Sequence, residues 1–253
     1  MATRRDTLTV LFLVVGGYAA LRYGLPHVWS GQTGDFEFEP LAEPAGFRRL
    51  TAGPTTAAFD PFIGLEADEP KPIQPAVIAP ADVRMHLFGS ETAPADVVPV
   101  ASFSDYHCPY CRVLTEDLVA ISDAGEKIAV TWHELPLLGP MSLAAARAAL
   151  AADRQGAYAA FHRRLMRSSF QPDPAFIEAL AASIGLAPDR MLSDMHDADI
   201  DRQLSLSAGL AGTLGIFATP ALVVGRTVVI GAIGPDRLRA LIELERAEGI
   251  VGI

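Results

Sequence analysis

Cys108 and Cys111 are the only thiols in 253 residues, and two residues lie between them in "SDYHCPYC". A thiol pair at that spacing can exchange disulfides, hold part of a metal site or close a local staple. Zinc bound by thiolates alone needs about four of them, and no second Cys/His pair with ligand spacing is present to complete a mixed site. Covalently attached haem needs a histidine directly after the second cysteine, where Arg112 stands. A disulfide scaffold is excluded by count, since two cysteines make a single bridge in a chain of this length. Cu(I) capture is the binding alternative, because two thiolates suit that ion and His107 adjoins them.

The elements that position the pair follow from periodicity. "VRMHLF" and "VVPVASF" are short apolar runs of strand type, separated by the turn-rich "GSETAPAD". Beyond the cysteines, Val113, Leu114, Leu118 and Ile121 recur at helical spacing, so Cys108 falls where a strand hands over to a helix. "KIAVTWHEL" is the next strand. From about residue 139 to 213 helix formers dominate, and Asp173-Pro174 supplies a cap followed by a first-turn proline. The stripe of Tyr158, Phe161 and Leu165 reads as core before substrate groove. "ALVVGRTVVIG" predicts a hairpin turning at Gly225, and "GPDRLRALIELERAE" a closing amphipathic helix from Pro235. The class is α/β, and no repeat is visible.

Half of the residues are hydrophobic and a fifth are charged, which suits a packed domain. Thirty acidic against twenty basic residues give a net charge of −10, so a polyanion is repelled and nucleic acid is set aside as a partner. Arg4 and Arg5 precede an apolar run from about Leu8 to Leu21, which fits an export signal or a membrane anchor over residues 1–25. Residues 26–80 form the next segment, and from Gly31 to about Pro80 it is rich in Pro, Gly, Ala and acids, with prolines at 40, 44, 54, 61, 70, 72, 75 and 80. Such a stretch forms no long helix or central strand, so it is expected to be a semi-extended spacer, with "GFRRL" and "FDPFIGL" as docking spots. The main domain is then 81–253. Export would place the thiols in an oxidising compartment.

Strand, CxxC, helix, strand, helical block, "TP", hairpin and helix together resemble the DsbA-like thiol:disulfide oxidoreductases of the bacterial envelope, members of the thioredoxin superfamily. The resemblance covers about Val83 to Ala247 and rests on "FSDYHCPYC", "ELPLLGPMSLAAARAALAADRQGAYAAFH" and "LGIFATPALVVGRTVVIGAI". It implies a thioredoxin fold with an inserted helical block, preceded by the export or anchor helix and the Pro-rich spacer. It implies disulfide exchange with cysteine-containing exported proteins in the periplasm, a redox partner in the membrane, and no cofactor beyond a Cys108–Cys111 disulfide. The inner membrane is a further contact if the N-terminal helix stays as an anchor. Dithiol oxidase is the favoured direction, with reductase or isomerase, or a copper-binding thioredoxin-like protein, as alternatives. The resemblance also makes Pro220 a cis proline across from the cysteines, with Thr219 offering its backbone to an extended client chain.

Physical chemistry assigns roles within that frame. A thiolate attacks a disulfide, and the positive end of a helix lowers the pKa of a thiol placed at its first turn, so Cys108 is the nucleophile and Cys111, one turn along, the resolver. Pro109 suits the first helical position, and the Pro109-Tyr110 pair tunes the thiolate. His107 can stabilise it as a cation. Relatives often carry a buried acid six residues before the first cysteine, where this chain has Ser102. Asp105 is expected to be solvated or capping first and a proton relay second. His133, His162 and His196 are read as structural.

Overall fold

The computed structural model describes residues 36–57, 73–89, 94, 96–168 and 173–249. In chain order the described elements begin with strands β1 (Glu39–Pro40) and β2 (Arg48–Thr51), helix α1 (Val83–Phe88) and strand β3 (Val98–Ser104). Helix α2 (Pro109–Asp123) and strand β4 (Ile128–Glu134) follow, then α3 (Pro140–Asp153), α4 (Tyr158–Arg167), α5 (Pro174–Ser183), α6 (Pro188–Asp194) and α7 (Ala198–Thr213). Strands β5 (Ala221–Val224) and β6 (Thr227–Ile230) and helix α8 (Pro235–Glu248) complete the unit.

The sheet order is β1-β2-β6-β5-β3-β4. All seven residues of β3 are buried, the signature of a central strand covered on both faces. It pairs parallel with β4, from Val98 opposite Ile128 to Ser104 opposite Glu134, because α2 makes the crossover between them. On its other side it pairs antiparallel with β5, and β5 turns into β6 through Gly225, whose φ of +58° a two-residue hairpin turn requires.

Alternate residues of the strands serve opposite layers. Ala101, Phe103, Val223 and Val228 pack with Val83 and Leu87 of α1 and Leu210 and Leu214 of α7. On the opposite face lie α2 and α8, whose Leu118, Ile121, Leu238, Leu241 and Ile242 are fully buried. The helical block forms a second core. In α3, Ala145, Ala146, Ala148, Ala149, Ala151 and Ala152 are all buried, and their small side chains let the helix sit close to its neighbours. Proline opens α2, α3, α5, α6 and α8, where its missing N–H leaves no bond unmade. Asp173 caps α5 as expected, accepting from Phe176 N at 2.8 Å.

Two expectations give way. "VRMHLF" is a helix, not a strand. Val83 and Leu87, one turn apart, are fully buried and Met85 between them is exposed, a period of 3.6 that six residues cannot separate from alternation. Within the stretch expected to be spacer, "GFRRL" contributes β2, which extends the sheet in parallel beside β6, Arg48 opposite Thr227 and Thr51 opposite Ile230. β2 itself contains no proline, and the edge beyond it is the two-residue β1, which ends in Pro40, so a Pro-rich composition did not exclude it. "FDPFIGL" and the N-terminal apolar run lie outside the described residues. Among the described residues no helix is long and apolar enough to cross a membrane.

Candidate active site

β3 ends at Ser104, and four residues later Cys108 takes the N-cap of α2 with extended φ and ψ of −78° and 114°. Its Sγ accepts from Cys111 N at 3.2 Å, using one of the amides that every helix start leaves unpaired. Both cysteines are free thiols, and both are buried, Cys108 with no exposed surface. The Cys111 S–H donates to Cys108, and this is the largest influence that takes the Cys108 thiol down to about 6; burial opposes it, while the Thr219 and Thr56 hydroxyls and the Cys111 amide add to it. Thr219 Oγ1 completes no hydrogen bond of ordinary geometry, so it acts as a nearby dipole. Cys111 is shifted the other way, well above the ordinary thiol range, first by burial and then by the neighbouring Cys108.

The loop that delivers Cys108 is braced by Asp105. Its Oδ1 accepts from His107 N at 2.8 Å and Ser142 Oγ at 2.7 Å; its Oδ2 accepts from Leu137 N at 2.8 Å and Leu138 N at 3.0 Å. Only 1% of Asp105 is exposed, which corrects the solvated reading, and the N-cap of α2 is Cys108 rather than Asp105, whose carboxylate braces the loop. The bond from His107 N is local to the loop, and the other three tie the end of β3 to the start of the helical block. His107, half-buried, has Nδ1 3.2 Å from the same Ser142 hydroxyl. Pro109 and Tyr110 are exposed on the first turn of α2.

The Thr219–Pro220 bond is cis, and Thr219 is fully buried. Thr219 acts on both sulfurs, so the cysteine pair and the "TP" element meet in one place although about a hundred residues separate them in the chain. Ser102 is buried on β3 without an acid beside it in sequence.

Two groups escaped the sequence reading. Thr56, from the Pro-rich stretch, pairs with Thr219 as an isolated antiparallel bridge, and nothing in "AGPTTA" signals that register. The other is a buried polar cluster. Glu134 Oε1 accepts from Tyr106 Oη at 2.7 Å and Tyr158 Oη at 2.6 Å, while His162 Nδ1 lies 2.7 Å from Tyr106 Oη. Burial, reinforced by Glu134, pushes both tyrosines well above their ordinary range, so they remain donors. His162 is structural, as expected, and Phe161 and Leu165 are core. His133 is equally structural: its Nε2 meets Leu87 O at 2.9 Å, its ring stacks on Phe103, and burial lowers its pKa. Among the described residues no group of three or more His, Cys, Asp or Glu is placed to hold a metal ion.

A thioredoxin-type sheet, a dithiol at a helix start and a cis proline beside it define a class of redox-active dithiol proteins. The sequence profile of the DsbA-like thioredoxin domain matches residues 99–243, and the chain belongs to that family, whose members are thiol–disulfide oxidoreductases that use a redox-active disulfide rather than an external cofactor. A thioredoxin-like oxidoreductase from Silicibacter pomeroyi is similar at 34% identity, covering 65% of this chain and 98% of that one with a TM-score of 0.60. The catalytic domain of Proteus mirabilis ScsC is similar at 29% identity, over 66% and 96% of the two chains, with a TM-score of 0.57. The Na(+)/H(+) antiporter NhaA 1 of Salinispora arenicola is 31% identical over 116 residues, which are 45% of this chain and only 17% of that protein.

Proposed function

We propose that this protein oxidises cysteine pairs of exported proteins by thiol–disulfide exchange, with Cys108 as the exchanging sulfur and Cys111 as the resolving one. The observation that carries the proposal is the opposed shift of two thiols one helical turn apart, Cys108 down to about 6 and Cys111 up. In the oxidised protein a client thiolate attacks Cys108 Sγ, the Cys108–Cys111 bond breaks, and Cys111 leaves and takes up a proton. The client's second thiolate then attacks the client sulfur of the mixed disulfide, and Cys108 leaves as a thiolate. Two electrons pass to the pair and the client keeps a disulfide.

The direction rests on the stabilised thiolate. A low-pKa thiol is the better leaving group, and a stabilised reduced form makes the disulfide the stronger oxidant. Pro109, Tyr110 and His107 tune that thiolate, and Thr219 and Pro220 receive the client backbone. Reoxidation needs an electron acceptor, a role we give to a redox partner in the membrane. Residues 1–25 export the chain to the periplasm or tether it to the inner membrane, and the Pro-rich stretch up to 80 already contributes β1, β2 and Thr56 to the catalytic domain.

The test is the reduction potential of the Cys108/Cys111 couple in glutathione buffers, together with disulfide formation in reduced, unfolded ribonuclease. A value near about −120 mV with oxidation of the ribonuclease is the expected result, whereas one near about −270 mV makes the protein a reductase.

A further inference from the structure

A client chain needs the backbone of Thr219, and in this protein that backbone is already taken. Thr56 N donates to Thr219 O at 2.7 Å, and Thr219 N donates to Thr56 O at 3.0 Å. We infer that residues 52–56 form an internal strap standing in for a client, so that a client reaches Cys108 by exchanging its own extended backbone for Thr56 on Thr219. The identity of the client rests on the thiol-exchange function proposed above; the strap rests on the geometry alone.

The strap is stitched in place from β2 onward. Ala52 N donates to Ile230 O at 2.9 Å, Gly53 N to Ala232 O at 2.9 Å and Ala232 N to Pro54 O at 2.9 Å, after which Pro54 and Thr55 run exposed to Thr56. The approach is too close for side chains on either backbone. A Cβ on Gly53 would stand 2.5 Å from Ala232 O, and one on Gly231, whose φ is +100°, would strike Gly53 O. The glycines at both positions therefore fit a designed crossing of the two segments.

At the end of this run the Thr56 hydroxyl lies close enough to Cys108, which has no exposed surface, to be one of the groups that lower its pKa. The residue paired with Thr219 thus stands beside Cys108, and a client in the same register would place a cysteine there. This sets the substrate class. The displacing segment must be extended and unpaired, as β-augmentation requires, and the residue opposite Thr219 cannot be proline, because its N–H must reach Thr219 O. A cysteine segment whose backbone is already paired in a folded protein fails the first condition. Being part of the same chain, the strap competes at high effective concentration, and a client that pairs with Thr219 alone is held back.

The test uses the full-length reduced protein at about pH 8, where the Cys108 thiolate is fully formed and rates report access rather than ionisation. Thr56→Pro removes the N–H that reaches Thr219 O, and we expect Cys108 to react with a bulky maleimide about tenfold faster, the scale of one lost hydrogen bond. Independently, Thr56→Cys in a Cys111→Ala background is treated with oxidised glutathione. One protein thiol accepts glutathione and the other displaces it, which leaves a disulfide between position 56 and Cys108 and two reduced glutathiones. An unchanged maleimide rate, or separate glutathione adducts on the two thiols, overturns the strap. A faster maleimide reaction, with neither the oxidised parent nor oxidised Thr56→Pro able to oxidise reduced ribonuclease, upholds the strap and overturns the oxidising function instead.

Discussion

One helical turn separates two thiols that behave as different reagents. Cys108 has the Cys111 S–H and an α2 amide directed at its sulfur, whereas Cys111 lies in apolar surroundings beside a charge of its own sign. Iodoacetamide should therefore modify reduced Cys108 along a titration curve with a midpoint near 6, with Cys111 silent at neutral pH. Peptide mapping of the alkylated protein checks this, and equal labelling of both cysteines would remove the assignment of roles. The pair was legible in the sequence because two thiols at CxxC spacing before a helical stripe admit few chemistries. The residues around it were less so. Asp105 looked like a turn residue, but its four partners come from residues 107 to 142, and only the folded loop brings them to one carboxylate.

At the scale of elements, strands and helices with long periodic patterns were foreseeable, and the short or Pro-flanked ones were not. β2 is held by side chains rather than by pattern. Arg48 Nη2 lies 2.7 Å from Glu245 Oε1, Arg48 Nε donates to Thr227 Oγ1 at 2.8 Å, and Thr227 Oγ1 donates to the same carboxylate at 2.6 Å. Phe38 adds its ring, with the Arg48 guanidinium 3.8 Å above its centre. These contacts join β2, β6 and α8 across nearly two hundred residues of sequence, a separation that no local propensity encodes. Glu245 is 3% exposed, so Arg48→Met leaves a buried carboxylate with its hydrogen bonds from Arg226 N and Thr227 Oγ1 but without its ion-pair partner, and should destabilise the protein by about 3 kcal/mol. Urea denaturation reads the loss. Combining it with Glu245→Gln should recover much of it, because a neutral amide needs no counter-charge. A single variant within about 0.5 kcal/mol of the parent would mean that β2 is held mainly by its backbone ladder.

For the whole molecule the two redox forms are two different titrating systems. In the reduced, folded protein Cys108 titrates near 6, against its ordinary 9.0 once unfolded. Between those values the unfolded chain binds more protons than the folded one, so the stability of the reduced form rises with pH from about 6 to about 9. Below about 6 both states hold the proton and this contribution is gone. The raised Cys111 works in the opposite sense, contributing stability below its unfolded pKa that is lost as pH climbs beyond about 9. Neither thiol exists in the disulfide form, and the other titrating groups are largely shared. The difference between reduced and oxidised stability therefore isolates the pair. Denaturation of both forms across pH 5 to 9 should give a difference curve that is flat at the acid end and climbs in favour of the reduced protein above about 6. Because the reduction potential is linked to that difference, the same rise makes the disulfide a stronger oxidant relative to an unfolded dithiol at neutral than at acid pH. A level curve over the whole range would mean that Cys108 is not ionised by the fold, and the oxidising direction would lose its physical basis.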